Sequence, residues 1–213
     1  MKKSILLVGL TMALSGGAMA GDYTNNTGGL VLDNSPAGLT QTITGTDLGV
    51  ISSVGVVLNL SGGYNGDLQA YLAYNDGANT YAVMLLNRIG GGALAAAGSG
   101  FGTGATTTDY ASLAAAGVTL ADGAAGSIHD VTPGAGVTVA PGTYTPDSTP
   151  TFSSVFAGMG GSGTWTLFIA DLSGGSESTL VSWGLTVVTV PEPQTWALVG
   201  GGLALLLGLR RRR

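Results

Sequence analysis

Apolar and polar positions alternate in several short runs. In VGVVLNL, Val54, Val56, Leu58 and Leu60 fall on one side, and in DLQAYLAY, Leu68, Ala70, Leu72 and Tyr74 do the same. WTLFIA and LVSWGLTVV read as two further strands, the second burying Val181, Trp183, Leu185 and Val187. A period of two marks a strand with one face in the core and the other in water. Between the runs stand SGGYNGD, YNDGAN, PGTYTPDSTP and DLSGGSES, rich in the residues that turns require. Many short strands joined by such turns predict an all-β protein, an antiparallel jelly-roll-like β-sandwich.

Composition points the same way. Glycine is abundant at 38 residues, and the Lys, Arg and Glu that would cover the wet face of a helix are scarce. Two stretches break the pattern. GGGALAAAGSGFGTGATTT, residues 90–108, is expected to be a loop over the sandwich, and DYASLAAAGVTL has room for one helical turn that ends by Gly117. No internal repeat or long linker divides the chain, and a body of about 170 residues suffices for one core.

The two ends differ from that body. Lys2 and Lys3, the apolar run Ile5–Leu14 and the small-x-small site Ala18-Met19-Ala20 are the parts of a secretory leader. The expected leader is residues 1–20, cut by signal peptidase so that Gly21 begins the mature chain. At the other end, Pro191-Glu192-Pro193 precedes an apolar segment, Trp196–Leu209, and four arginines, Arg210, Arg211, Arg212 and Arg213. Fourteen apolar residues rise only about 21 Å as a helix, short of a hydrocarbon core of about 30 Å. Snorkelling arginines let so short a segment suffice and hold its end on the cytoplasmic side.

Setting the ends aside changes the charge. Between residues 21 and 189 Arg88 is the only cation, against eleven carboxylates, so the body carries a net charge near −10. Such a surface repels phosphates and excludes nucleic acid as a partner. It suits divalent cations or a basic partner, or simply keeps the body soluble. With no cysteine, an exported chain has no disulfide framework and must be held together by burial, to which a bound metal can add.

The tail, Pro-Glu-Pro with its apolar segment and basic end, resembles the PEP-CTERM sorting signal over residues 190–213. The resemblance implies an exported protein of a Gram-negative bacterium that makes extracellular polysaccharide. Such a protein is held transiently in the inner membrane, cut near the proline strip by an exosortase and passed to the cell surface. The alternative is a permanent anchor with Pro-Glu-Pro as a linker.

The body, residues 21–189, resembles the P domain, the β-sandwich module that follows the catalytic domain in proprotein convertases. GTWTLFIADLSGGSESTLVSWGLTV, Gly163–Val187, is similar to that family's closing pattern of two Trp-bearing strands joined by an acidic glycine turn. YTPDSTPTFSSVFAGMGGSG, in which the family has a short strand, VTLADGAAGSI and GDLQAYLAYNDGANTYAVMLLNR follow the family's order. Ala121, Asn75 and Ser178 depart from it, where the family has Asp, Pro and Gly.

Candidate chemistry is sparse. Asp67, Asp122 and Asp171, with Asp76 and Asp130 nearby in turns, are candidate ligands for a structural calcium ion, which takes six to eight oxygens. Some P domains bind calcium, so the resemblance allows it. Asp171 also closes a strand, where its carboxylate can accept turn N–H groups. His129, the only histidine, is expected to be a surface or turn residue, and its neighbour Asp130 is badly placed to orient it for catalysis. There is no Gly-x-Ser-x-Gly elbow and no zinc set. Trp165 and Trp183 are expected in the core.

The sequence therefore points to an exported, noncatalytic surface or matrix protein acting as a structural or adhesive module. A carbohydrate-binding module for exopolysaccharide is the second reading, and an aromatic pair such as Tyr71 with Tyr74 or Tyr81 beside a groove would mark it. A hydrolase, requiring two converging carboxylates, is the third.

Overall fold

The computed structural model describes residues 17–89, 117–131, 139–147, 149–191 and 201–202. The stretch 90–108, the helical turn expected just before Gly117, the leader up to residue 16 and nearly all of the apolar tail lie outside the described residues. Among the described residues no helix is long and apolar enough to cross a membrane.

The alternating runs are strands. β1 (Met19–Asn25) and β2 (Gly29–Val31) precede β3 (Ser35–Ser61), β4 (Leu68–Asn75) and β5 (Thr80–Asn87). β6 (Val118–Ala121) and β7 (Gly142–Tyr144) follow, then a short helix α1 (Phe152–Phe156), β8 (Gly160–Asp171) and β9 (Ser178–Val190). All these strands pair antiparallel except β6 with β7.

β3 organises the rest. At 27 residues it is far longer than the usual strand of about 5–6. Its first half, to Thr46, lies against β8, and its second half, from Val50, lies between β9 and β6. One layer is therefore β3–β8–β4–β5, and the other places β1 and β2 beside β9, then the second half of β3, β6 and β7. The register shift between Thr46 and Val50 is the corner that turns β3 from one layer into the other. Gly49 sits there at φ +132°, and a Cβ would lie 2.7 Å from the Val190 carbonyl oxygen. Only glycine fits the corner.

One core fills the space between the layers. Val54, Val56, Leu58 and Leu60 from β3, and Leu68, Ala70, Leu72 and Tyr74 from β4, are buried as their alternation requires. Trp165 and Trp183 are buried too. Tyr74 stacks at 4.4 Å on Trp165, whose other neighbour Phe156 meets it edge-on at 5.1 Å. The Tyr74 hydroxyl donates to the carbonyl oxygens of Gly160 and Ser162, which satisfies its one polar atom.

Two expectations are corrected. Val181 is 43% exposed rather than buried. Asn59 pairs with Ser182 but Leu60 pairs with Leu180, so Val181 is the extra residue of a β-bulge and Leu180 takes the inward place. The short strand expected within 144–163 is instead the helix α1. Thr151 caps it by accepting the Ser154 N–H, and the Asp122 carboxylate accepts the N–H groups of Phe152 and Ser153.

Trp165→Ala is therefore expected to cost about 3–5 kcal/mol of unfolding free energy in a denaturant titration. Val181→Ala is expected to change it by less than about 0.5 kcal/mol, because the bulge has turned that side chain to water.

Candidate functional site

Asp67 and Asp171 are brought together at one end of the body. Asp67 closes a turn of 3-10 helix, and the next residue, Leu68, pairs with Asp171 where β4 begins and β8 ends. Asp33, from the turn between β2 and β3, joins them and accepts the Gly175 N–H at 3.0 Å. Arg88 stands among the carboxylates. Its Nη2 is 3.9 Å from Asp67 Oδ1 and donates to Ser173 Oγ at 3.2 Å, while its Nε donates to the Gly66 carbonyl oxygen at 2.9 Å.

Burial sets the electrostatics here. Asp171 is fully buried; its Oδ1 accepts the Ser173 N–H at 3.1 Å and its Oδ2 has no hydrogen-bond partner. Desolvation raises the pKa of Asp171, with Asp33 adding repulsion, although the N–H bonds and Arg88 oppose the rise. Asp67 is raised first by burial and then by Asp171, against the pull of Arg88. Folding thus disfavours the charged form of both groups.

The other candidate ligands lie elsewhere. Asp122 accepts two N–H groups at the N-terminus of α1 and forms no cluster with Asp67 and Asp171. Asp76 is exposed, and the N–H groups of Asn79 and Ala78 hold its carboxyl below the usual range. Asp130 is exposed. Among the described residues no group of three or more His, Cys, Asp or Glu is arranged to hold a metal ion.

His129 is buried, contrary to the expectation of a surface residue. Its Nδ1 is 2.8 Å from Asp147 Oδ2, and the same oxygen accepts the Asn87 N–H at 2.9 Å. The Asp147 N–H in turn donates to the Leu85 carbonyl oxygen. Asp147 therefore extends the edge of β5 and fastens the loop of His129 to it. Ser127 and His129 share a cleft of about 290 Å³, but the Ser127 oxygen accepts the backbone N–H of His129. Sequence reading missed this pair because Asp147 is 18 residues from the histidine.

The outer face of the β3–β8–β4–β5 layer has a different character. Residues opposite each other in register share a face, which gives three rows across the four strands. They are Thr40–Phe168–Tyr71–Met84, Thr42–Thr166–Ala73–Ala82 and Thr44–Thr164–Asn75–Thr80. None of these residues is charged, in a body near −10. Tyr71 and Phe168, both half-buried, lie with ring centroids 6.4 Å apart and planes tilted by 42°. Of the two partners expected for Tyr71, Tyr74 is fully buried on the opposite face of the strand, and Tyr81 pairs with Tyr74 on that same face. Their place is taken by Phe168, which strand alternation put outward but which only the pairing of β4 with β8 sets beside Tyr71.

Pro191, the first residue of the sorting strip, lies at the end opposite the cluster of Asp33, Asp67 and Asp171. Val190 pairs with Val50 at the corner of β3, and Pro191 follows directly. Glu192, Pro193 and the arginines lie outside the described residues.

Comparison with known proteins identifies that end. The family model of the PEP-CTERM protein-sorting motif matches residues 189–213. The motif implies an exported protein that an exosortase sorts to the envelope or surface of a Gram-negative bacterium. Among solved structures, the chain is similar to the serine protease of Aeromonas sobria, determined alone and in complex with the chaperone ORF2. Identity is 15% and 14%, the TM-score is 0.47 in both, and the match covers 84% and 83% of this chain. This chain spans only 28% of each of those chains. No curated protein sequence matches.

The carboxylate cluster has a testable consequence. A raised carboxyl pKa favours the folded state fully below the ordinary value of about 3.9, and that advantage is lost as pH rises through the raised value. Asp171→Asn is expected to lessen the loss of stability as pH rises above about 4, read from urea midpoints at successive pH values.

Proposed function

We propose that the body is a noncatalytic, P-domain-like module that the sorting signal delivers to the cell envelope, where it acts as a structural or adhesive element. The uncharged outer face carries this reading. Eleven carboxylates are kept off the three rows, although β-sheet surfaces accept charge readily. A surface that only had to remain soluble would have no need of such a gap. The commitment of Asp147 to the β5 backbone and of Ser127 to a backbone N–H supports a structural role for His129.

A second reading, direct recognition of exopolysaccharide, is favoured by the Tyr71–Phe168 pair. Sugar rings present C–H faces that pack on aromatic rings, and flanking Thr and Asn side chains supply donors and acceptors for hydroxyls. The ligand would be a neutral polysaccharide, since the body repels anionic ones.

Structural calcium also belongs to this proposal, at Asp67 and Asp171, with loop carbonyls and water supplying the remaining oxygens. The partnerless buried Oδ2 of Asp171 supports it. The ion would relieve the repulsion that Arg88 only partly offsets.

Three measurements test the reading. Tyr71→Ala with Phe168→Ala should lower retention on a neutral polysaccharide matrix at least tenfold, about 1.4 kcal/mol, while leaving unfolding cooperative. Retention unchanged in the double variant would exclude the face. Calcium should raise the melting midpoint by several degrees, magnesium should not, and Asp171→Asn should abolish the effect. Replacing Pro191-Glu192-Pro193 by alanines should leave the chain membrane-bound and uncut, as seen by mass on immunoblots of fractionated cells.

A further inference from the structure

The end of the body beside the sorting strip holds a carboxylate whose environment is incomplete. Asp47 lies at the corner of β3, its Oδ2 is buried, and that oxygen has no hydrogen-bond partner. The hydroxyl oxygen of fully buried Thr189 is also without a partner. Two glycines make the space. A Cβ on Gly161 would lie 2.7 Å from Thr189 Cγ2 and 3.1 Å from Asp47 Cβ. A Cβ on Gly21 would lie 2.4 Å from both carboxylate oxygens of Asp47. Gly21 pairs with Val187, after the two pairs that Met19 and Ala20 of the leader make with β9, and so faces inward with it.

Gly21 is the residue expected to begin the mature chain. By standard bond lengths a Cβ lies roughly 2.5 Å from its own backbone nitrogen. The Gly21 nitrogen is therefore within about 5 Å of Asp47 Oδ1 and Oδ2. While the leader is attached, that nitrogen is a neutral amide. Hydrolysis of the Ala20–Gly21 bond adds one water, leaving a carboxylate on Ala20 and an amine on Gly21 that takes up a proton.

We infer that leader removal completes this end of the fold by creating an α-ammonium at Gly21 that pairs with the Asp47 carboxylate. The inference rests on cleavage after Ala20. A carboxylate oxygen shut away from water without a partner is costly, and a cation introduced beside it offsets that cost. The body has only one other cation, Arg88, at the far end. Any side chain at position 21 would fill the space in which the two charges meet, which accounts for glycine there. Processing thereby becomes part of folding: the chain with its leader carries an unpaired carboxylate next to the strand that leads into the sorting strip, and the mature chain does not.

The sequence makes the test clean. Lys2 and Lys3 are the only lysines and both belong to the leader, so the mature chain has a single primary amine, its own N-terminus. The mature protein is purified as the cell exports it, its N-terminal residue is fixed by mass spectrometry, and that amine is acetylated with an activated ester. The acetylated form should melt below the free-amine form by roughly 3–10 °C, and in Asp47→Asn the two forms should melt together. In the folded wild type the amine should also react at least about tenfold more slowly than in the unfolded chain, which decides the matter if Asp47→Asn does not accumulate. Equal melting of the two wild-type forms, or the same loss in Asp47→Asn, would overturn the pairing with the cleavage site still standing. An N-terminus other than Gly21 would overturn both.

Discussion

The register of β3 between β8 and β9 is the constraint on which the rest depends. One strand runs in both layers, so the corner at residues 47–49 fixes how the two sheets face each other and which residues meet across the core. A slip of one residue in either half would turn every inward side chain outward. The core guards against that slip by size: Trp165 and Trp183, one in each layer, leave little freedom for a second arrangement. The aromatic group of Tyr74, Phe156 and Trp165 closes the core near the corner, and its one hydroxyl is tied to β8 carbonyls.

From this arrangement the body gains two chemically distinct ends and one distinct face. The corner end holds Asp47, Gly21 and Val190 and leads into the sorting strip. The opposite end gathers Asp33, Asp67 and Asp171 around Arg88. Between them lies the uncharged outer face, whose rows are contributed by β3, β4 and β5 with β8 inserted between β3 and β4. The corner end is thus separated from those three carboxylates by the length of β8, and the neutral face runs between the two.

Much of this was legible in the sequence because alternation is a local property. The buried sets in the second half of β3 and in β4, the core roles of both tryptophans and the sorting tail all follow from neighbouring residues. What depends on pairing was not legible. Val181 obeys the alternation of its own run, yet a bulge set by the opposing strand expels it. Asp122 has the composition of a ligand but serves the N-terminus of a helix 30 residues away. Asp147 beside His129, Asp33 beside Asp67 and Phe168 beside Tyr71 are long-range meetings that no local motif announces. Thr151 was a signal that could have been used, since a Ser or Thr before an aromatic residue and two serines can cap a short helix.

The central claim is that the uncharged face is the working surface of the module. It is tested most directly by residue-resolved NMR of the folded protein titrated with a neutral polysaccharide. The claim expects shift changes confined to the rows of Thr40, Phe168 and Tyr71 and of Thr42, Thr166 and Ala73, with the carboxylate end undisturbed. Changes centred on Asp33, Asp67 and Asp171, or saturation with an anionic polymer at the same face, would contradict it.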